Sequence, residues 1–228
     1  MDLSIVIPTY NERENILKLI KAIEENLKGI DYEIIIVDDY SPDGTGKIVS
    51  EYAKKDKKVK LFQKEKEGLG AAVRYGFSKA KGDILIVMDA DFSHPPEKII
   101  EIYNKIKEGF DIVVGSRKVK GGEVVNWPLK RKIISWVATT ITRILFRLEI
   151  KDPMSGFFGV RKEVLSEVKL QINGFKILLD LLSKTKGKKR GEIPITFEDR
   201  KEGHSKMNTK EIFNLIKTWW VLLFKKVQ

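Results

Sequence analysis

Asp89-Ala90-Asp91 follows Ile84-Leu85-Ile86-Val87-Met88, five apolar residues bounded by Gly82-Asp83 before and by Phe92-Ser93-His94-Pro95-Pro96 after. A short apolar run between breakers reads as a buried strand. In an open α/β sheet, ligands sit beyond the carboxyl ends of such strands. Residues i and i+2 of a strand share a face, so both carboxylates point at one object if the pattern persists. Two such charges repel unless a cation joins them. A hard divalent ion, Mg²⁺ or Mn²⁺, held by one or two carboxylates and completed by substrate phosphates, supplies that cation. Read alone, the motif is short and also fits a helix cap followed by a solvated carboxylate.

The elements around it repeat the arrangement. Leu3 to Pro8 reads as a first buried strand, followed by Thr9-Tyr10-Asn11-Glu12, with Asn11 as the cap of a helix carrying Ile16, Leu19, Ile20 and Ile23. Tyr32 to Val37 reads as a second strand ending in Asp38-Asp39, then the turn Ser41-Pro42-Asp43-Gly44 and a helix from about Thr45. Val59 to Phe62 is a third strand, and a helix opens at Gly68-Leu69-Gly70. After Asp91 come a helix from Pro96 to Lys107 and a strand from Asp111 to Val114, running into Gly115-Ser116-Arg117. This alternation predicts an α/β fold with a mostly parallel sheet covered by helices on both faces. The strand after Pro153-Met154-Ser155-Gly156, a helix over 174–183 and a strand over 192–197 complete the pattern.

Composition excludes several classes. The chain has 228 residues, 42% of them hydrophobic, enough for one large domain with a proper core. It has no cysteine, so disulfides and thiolate chemistry are excluded. The first strand is followed by Pro8-Thr9-Tyr10-Asn11-Glu12 in place of a Gly-X-Gly-X-X-Gly turn, which disfavours a dinucleotide site, and there is no P-loop sequence. The start of the chain lacks the basic and apolar regions of a signal peptide. No apolar run reaches the roughly 20 residues that span a bilayer. A net charge of +11 points to a polyanionic partner: nucleic acid, an anionic membrane surface or phosphorylated small molecules. The Lys- and Glu-rich composition, with 33% charged residues, is thermophile-like.

Two stretches do not fit a simple sheet-covering role. Trp127-Pro128-Leu129-Lys130-Arg131-Lys132 leads into an amphipathic helix over 133–150 that carries Trp136, with Arg143 and Arg147 on one face. The last helix, over 208–226, holds Trp219 and Trp220 among apolar residues. Tryptophan favours membrane interfaces, and basic flanks favour anionic lipid. Both stretches are expected to lie on a bilayer; the alternative for the first is packing on the sheet, and for the last an oligomer contact or the stub of later membrane helices.

The ordered set of motifs resembles a known family. Ile5-Val6-Ile7-Pro8-Thr9-Tyr10-Asn11-Glu12, Val37-Asp38-Asp39-Tyr40-Ser41-Pro42-Asp43-Gly44-Thr45 and Met88 to Pro96 are similar to family 2 glycosyltransferases of the GT-A fold. Gly115-Ser116-Arg117, Leu129 to Ser135, Asp152 to Phe158 and Ile193 to Phe197 narrow the resemblance to dolichyl-phosphate mannose synthases. The likeness implies a catalytic domain over 1–208, with an interface helix at about 127–150 inside it, and a membrane-interface helix over 209–228. It implies inverting transfer of mannose from GDP-mannose to dolichyl (polyprenyl) phosphate, for protein glycosylation, at the cytoplasmic face of a membrane. A membrane-anchoring segment or subunit outside this chain is also implied. Carried over residue by residue, Pro8, Tyr10, Glu12, Val37, Asp39, Asp89, Ala90 and Asp91 would bind the nucleotide sugar. Asp91 and Asp89, with Ser93, would hold Mg²⁺ or Mn²⁺; the alternative for Asp89 is a sugar hydroxyl. Arg117, Arg131, Ser135, Arg200 and Lys206 would bind the acceptor phosphate, and Asp89, Asp91, Arg117 and Arg131 would carry catalysis. Two positions depart from the family: Tyr40 replaces a small or amide residue, and Ser93, a weaker metal ligand, stands where some relatives have Gln.

A phosphate acceptor needs no base. A phosphomonoester has a second pKa near 6, so at neutral pH it is already an anionic nucleophile that needs positioning and charge compensation. A hydroxyl acceptor would want a further Asp or Glu, and the sequence offers no persuasive one. Transfer from UDP-glucose to a polyprenyl phosphate, with the same fold, is the nearest alternative. A nucleic-acid-binding module is disfavoured, because the aromatic residues sit in apolar helices and acidic pairs end the strands.

Overall fold

In a computed structural model, which describes residues 1–172, 174, 176–198 and 209–224, the chain alternates as the sequence requires. The order is β1 (Leu3–Thr9), α1 (Ile16–Asn26), β2 (Tyr32–Asp38), α2 (Thr45–Lys55), β3 (Val59–Gln63), α3 (Leu69–Lys79), β4 (Ile84–Val87), α4 (Lys98–Lys107) and β5 (Ile112–Ser116). It continues with β6 (Glu123–Val125), α5 (Leu129–Phe146), β7 (Phe158–Arg161), α6 (Lys162–Ser166), α7 (Ile177–Lys184), β8 (Arg190–Pro194), β9 (Thr196–Glu198) and α8 (Thr209–Phe224). A seven-stranded sheet has the order β3-β2-β1-β4-β7-β5-β8, and β6 and β9 form a separate parallel pair. Only β7 runs antiparallel to its neighbours.

The strands are apolar on both faces because both faces are covered. Ile5, Ile7, Ile34, Ile36, Ile84 and Ile86 pack with Ile16, Leu19, Ile20 and Ile23 of α1 and Ile99, Ile102 and Ile106 of α4. Their alternates Val6, Ile35, Val37, Leu85 and Val87 pack with Ala72 and Val73 of α3 and Leu178, Leu179, Leu181 and Leu182 of α7. The strand period of two assigns each residue to its side. The chain leaves β1 toward β2 and β3, then returns to place β4 on β1's other edge. That reversal opens a crevice at the carboxyl ends of β1 and β4, where Tyr10 and Asp89 emerge.

Some boundaries differ from the sequence expectation. Asn11 does not cap α1; it adopts φ +60° in a turn, and the helix starts four residues beyond the expected turn, after Asn15. The helix expected over 133–150 begins at Leu129, after the extended N-cap Pro128, and ends at Phe146, where Arg147 turns left-handed. Arg147 therefore does not share a helical face with Arg143. The single strand expected over 192–197 is two strands: β8 joins the main sheet and β9 leaves it to pair with β6, which the sequence reading did not include. The polar loop expected over 199–206 lies outside the described residues, as do Arg200 and Lys206. Among the described residues no helix is long and apolar enough to cross a membrane.

Candidate active site

Two neighbouring aspartates at the end of β2 receive different treatment. Asp38 is fully buried and its carboxylate is spent on the fold: it accepts from Thr9 Oγ1 (3.1 Å), the Ser41 backbone N–H (3.0 Å), the Ser41 hydroxyl and Gln63 Nε2 (3.1 Å). Those bonds hold the turn after β2 and force Tyr40 into φ +46°, with its ring exposed. Asp39 is 8% exposed, and its Oδ1 has no hydrogen-bond partner among the described residues. Burial pushes the Asp39 carboxyl above its usual range, against the pull of Lys64 and Lys66. A buried carboxylate oxygen left without a donor is costly unless a ligand supplies one.

Pro8 and Val37 are paired across β1 and β2 and are buried, forming the floor between these ends. Tyr10 is exposed, and the Lys66 ammonium stands 3.0 Å from its ring centroid. Glu12 is buried; it accepts from Asn15 Nδ2 at 3.1 Å, and its backbone N–H donates to Thr45 Oγ1 at 2.9 Å.

The Asp89–Asp91 turn is tightly built. The backbone N–H of Asp89 donates to Nδ1 of His94 at 2.9 Å. Ser93 donates to Asp91 Oδ1 through its N–H (3.1 Å) and its hydroxyl (2.6 Å), with Phe92 at φ +60° between them. The Ser93 side chain is thus placed behind Asp91, orienting it. His94 is fully enclosed; burial pushes its pKa down against the pull of Asp89 and Asp91. Its ring stacks on Phe157 at 5.3 Å. Gly156 makes this approach possible: a Cβ there would come within 3.1 Å of His94 Cε1 and 3.4 Å of Asp89 Oδ2. Ala90, between the two acids, is buried.

These donors fit a divalent ion. Asp89 is part-exposed and Asp91 is held on the same turn, giving two hard carboxylate ligands of the kind Mg²⁺ and Mn²⁺ take when phosphates complete the shell. No group of three or more His, Asp or Glu side chains among the described residues forms a closed protein cage.

Arg117, just past β5, is paired in a fork with Asp152: Nε to Oδ2 at 2.7 Å and Nη2 to Oδ1 at 2.8 Å. The pair is almost wholly out of water. Burial works against both charges. Arg117's guanidinium and hydrogen bonds nevertheless hold the Asp152 carboxyl below its usual range, and Asp152, with Asp89 adding, holds Arg117 above its own. Glu192 of β8 accepts the backbone N–H groups of Lys151 and Asp152, fixing that turn.

Arg131, in the first turn of α5, lies with its Cζ 3.7 Å from the centroid of Trp127. Arg117 lies 5.8 Å from the same ring and 5.3 Å from Phe197. Ser135, one turn beyond Arg131, is 9% exposed on the inward side of α5.

The structure thus gathers Pro8, Tyr10, Val37 and Asp39 at one end of the crevice. Asp89, Ala90, Asp91 and Ser93 form its centre, and Arg117, Arg131 and Ser135 lie beyond β5. Sequence reasoning missed His94, Asp152, Trp127 and Phe197 as parts of this site. His94 lies in the same turn as Asp89, where nothing in the sequence marks its ring as the partner of the Asp89 N–H; Trp127 precedes α5, so helical spacing does not mark it, and Asp152 and Phe197 arrive through tertiary contacts.

A doubly wound sheet with an Asp-X-Asp turn at its switch point defines a glycosyltransferase of the GT-A class. The chain belongs to glycosyl transferase family 2, whose sequence pattern matches residues 4–169. It is 49% identical over 220 residues to the dolichol-phosphate mannosyltransferase of Pyrococcus furiosus, covering 95% of this chain and 62% of that one. It is 36% identical to the polyprenol monophosphomannose synthase of Mycolicibacterium smegmatis, covering 95% of this chain and 86% of the relative. The chain therefore spans under two thirds of the first relative and most of the second. Among solved structures, glucosyl-3-phosphoglycerate synthase from Mycobacterium tuberculosis, crystallised with Mn²⁺, UDP-glucose and phosphoglyceric acid, superposes with a TM-score of 0.70 at 17% identity. It covers 98% of this chain and 79% of its own, a likeness of fold.

Proposed function

We propose that this chain catalyses metal-dependent, inverting transfer of mannose from GDP-mannose to dolichyl (polyprenyl) phosphate at the cytoplasmic face of a membrane. One observation carries the reading: α5 begins at the site's arginine and turns its apolar side outward. Leu129, Ile133, Trp136, Val137, Ile144 and Leu145 are exposed, whereas Ser135, Thr139 and Thr142 face inward. Trp220, Leu223 and Phe224 of α8 add to the exposed apolar surface. An acceptor that is phosphate at one end and hydrocarbon at the other matches a helix that is cationic at its start and apolar along its outer face. The two curated relatives named above are a dolichol- and a polyprenol-phosphate mannose transferase, which favours the same acceptor class and sugar.

In this reading Asp39 accepts N–H donors of the guanine edge, satisfying its unpartnered oxygen. Tyr10 and Glu12 border the ribose, and Pro8 and Val37 form the floor. Asp91 and Asp89 would hold the divalent ion, which offsets charge developing on the departing GDP. Ser93 and His94 keep the two acids in place. Arg117 and Arg131 orient the acceptor phosphate, with Ser135 beside them, and Arg200 and Lys206 join them from the segment outside the described residues. The phosphate is already anionic, so attack on the sugar carbon from the face opposite GDP requires only position and charge compensation. Residues 1–208 form the catalytic unit, and the segment from 209 lies at the membrane surface beside α5.

The test is transfer of radiolabelled mannose from GDP-mannose to dolichyl phosphate in detergent, with and without Mn²⁺, beside UDP-glucose. Metal-dependent transfer from GDP-mannose alone, lost in Asp91→Ala, is expected. Transfer from UDP-glucose alone would overturn the sugar, and transfer undiminished by chelation would overturn the metal.

A further inference from the structure

Trp127 has no role in the chemistry described so far, yet it is the side chain around which both arginines are arranged. Its ring lies 3.7 Å from the Arg131 guanidinium carbon and 5.8 Å from that of Arg117. Phe197 meets it edge-on at 5.9 Å and lies 5.3 Å from Arg117. The indole Nε1 is buried and has no hydrogen-bond partner among the described residues.

The two guanidinium groups are held by different means. Arg117 is neutralised by Asp152 in a buried fork. Arg131 is stacked on an aromatic face. A stacked guanidinium is stabilised through its flat side, whereas its N–H donors lie along the edge of the plane. The Trp127 ring thus meets Arg131 on its flat side. An indole nitrogen is a donor only, so whatever completes Nε1 must bring an acceptor atom. A phosphate oxygen has that chemistry.

The backbone fixes this ring. β6 pairs with β9 in the register Val124 to Phe197, which brings Phe197 alongside the strand that leads to Trp127. Asn126, at φ +62°, turns the chain after β6, and Pro128 then starts α5. Trp127 is thus clamped between a short strand pair and a helix start.

We infer that Trp127 is the positioning residue of the acceptor-phosphate site: its ring seats Arg131 beside Arg117, and its indole N–H is a further donor to the phosphate. The inference rests on the acceptor reading given above.

Transfer kinetics of the full chain, with polyprenyl phosphate and donor varied separately, test it with Trp127→Leu, Trp127→Phe and Arg131→Ala. Trp127→Phe keeps a stacking face and loses the N–H; Trp127→Leu loses both. The expected result is an acceptor KM raised tenfold or more in Trp127→Leu and a few-fold in Trp127→Phe, with the donor KM within twofold of the parent in each. An acceptor KM in Trp127→Leu equal to the parent, or a donor KM that rises in step with it, overturns the inference. If Arg131→Ala leaves the acceptor KM unchanged, the acceptor reading itself fails. If it raises the KM and Trp127→Leu does not, only the role of Trp127 fails.

A second measurement covers the case in which Trp127→Leu does not fold. In protein labelled with 5-fluorotryptophan, the ¹⁹F resonance missing from Trp127→Phe belongs to Trp127. It is expected to shift on addition of a soluble short-chain prenyl phosphate and to stay fixed with the prenyl alcohol. A resonance unmoved by the phosphate at concentrations that saturate transfer overturns the donor role.

Discussion

The sheet half of the molecule and the α5 helix follow opposite rules. In the sheet half, every strand residue from Leu3 to Ile7 and from Ile34 to Val37 is fully buried, and α1 and α4 turn isoleucines inward. In α5 the buried residues are Ser135, Thr139 and Thr142, while Trp136 and Ile144 are 63% and 70% exposed. The helices α1, α4 and α5 are all amphipathic; only the direction differs. Apolar surface moves out of water wherever a partner exists. In α5 it is turned outward, with hydroxyls inward, and no element among the described residues covers it. Part of α8 links the two regions: Trp219 and Leu222 pack on the sheet-side core, and the Trp219 indole donates to Thr142 Oγ1 at 3.1 Å.

Substitutions in the two regions should separate these rules. Ile36→Ala, in the middle of β2, should cost about 2–5 kcal/mol of stability in chemical denaturation and leave vesicle binding unchanged. The double change Trp136→Ser, Ile144→Ser should do the reverse. Binding to vesicles containing anionic phospholipid should fall about a hundredfold, or ~3 kcal/mol, with the denaturation midpoint almost unmoved. A loss of stability like that of Ile36→Ala would show that the outer face of α5 belongs to the core after all. Trp219→Phe, at the seam, should cost about 1 kcal/mol by leaving Thr142 without its donor.

The smallest effect concerns the sheet half's own exception, Asp39. Its carboxyl is raised by burial, so the folded chain holds that proton more tightly than the unfolded one. The resulting stability is complete below the ordinary carboxyl pKa and is lost as pH rises through the raised value. At neutral pH the charged form is therefore a cost. Asp39→Asn should raise stability by up to about 1 kcal/mol without nucleotide and weaken GDP binding in calorimetry. Wild-type GDP affinity should decline as pH falls through the raised pKa, a decline absent from the variant. Equal stability and equal GDP affinity in the two proteins would remove Asp39 from the nucleotide site.

The sequence by itself determined the alternation of strands and helices, the acids at the ends of β2 and β4, and the amphipathic character of the last two long helices. These are local properties: period, turn residues and spacing are written within a few neighbours. It also carried the family, through motifs kept in order. Tertiary structure decided the rest. That Asp38 serves the fold while Asp39 Oδ1 has no partner among the described residues depends on Gln63 and Thr9 arriving from other strands. That Arg117 is matched by Asp152 depends on the turn before β7 returning to the end of β5, where Glu192 of β8 fixes it, and that Phe197 meets Trp127 depends on β9 leaving the sheet to join β6. Which face of α5 turns outward was not readable either. A helical period shows that two faces differ, and only the packed neighbours show which face the rest of the chain covers.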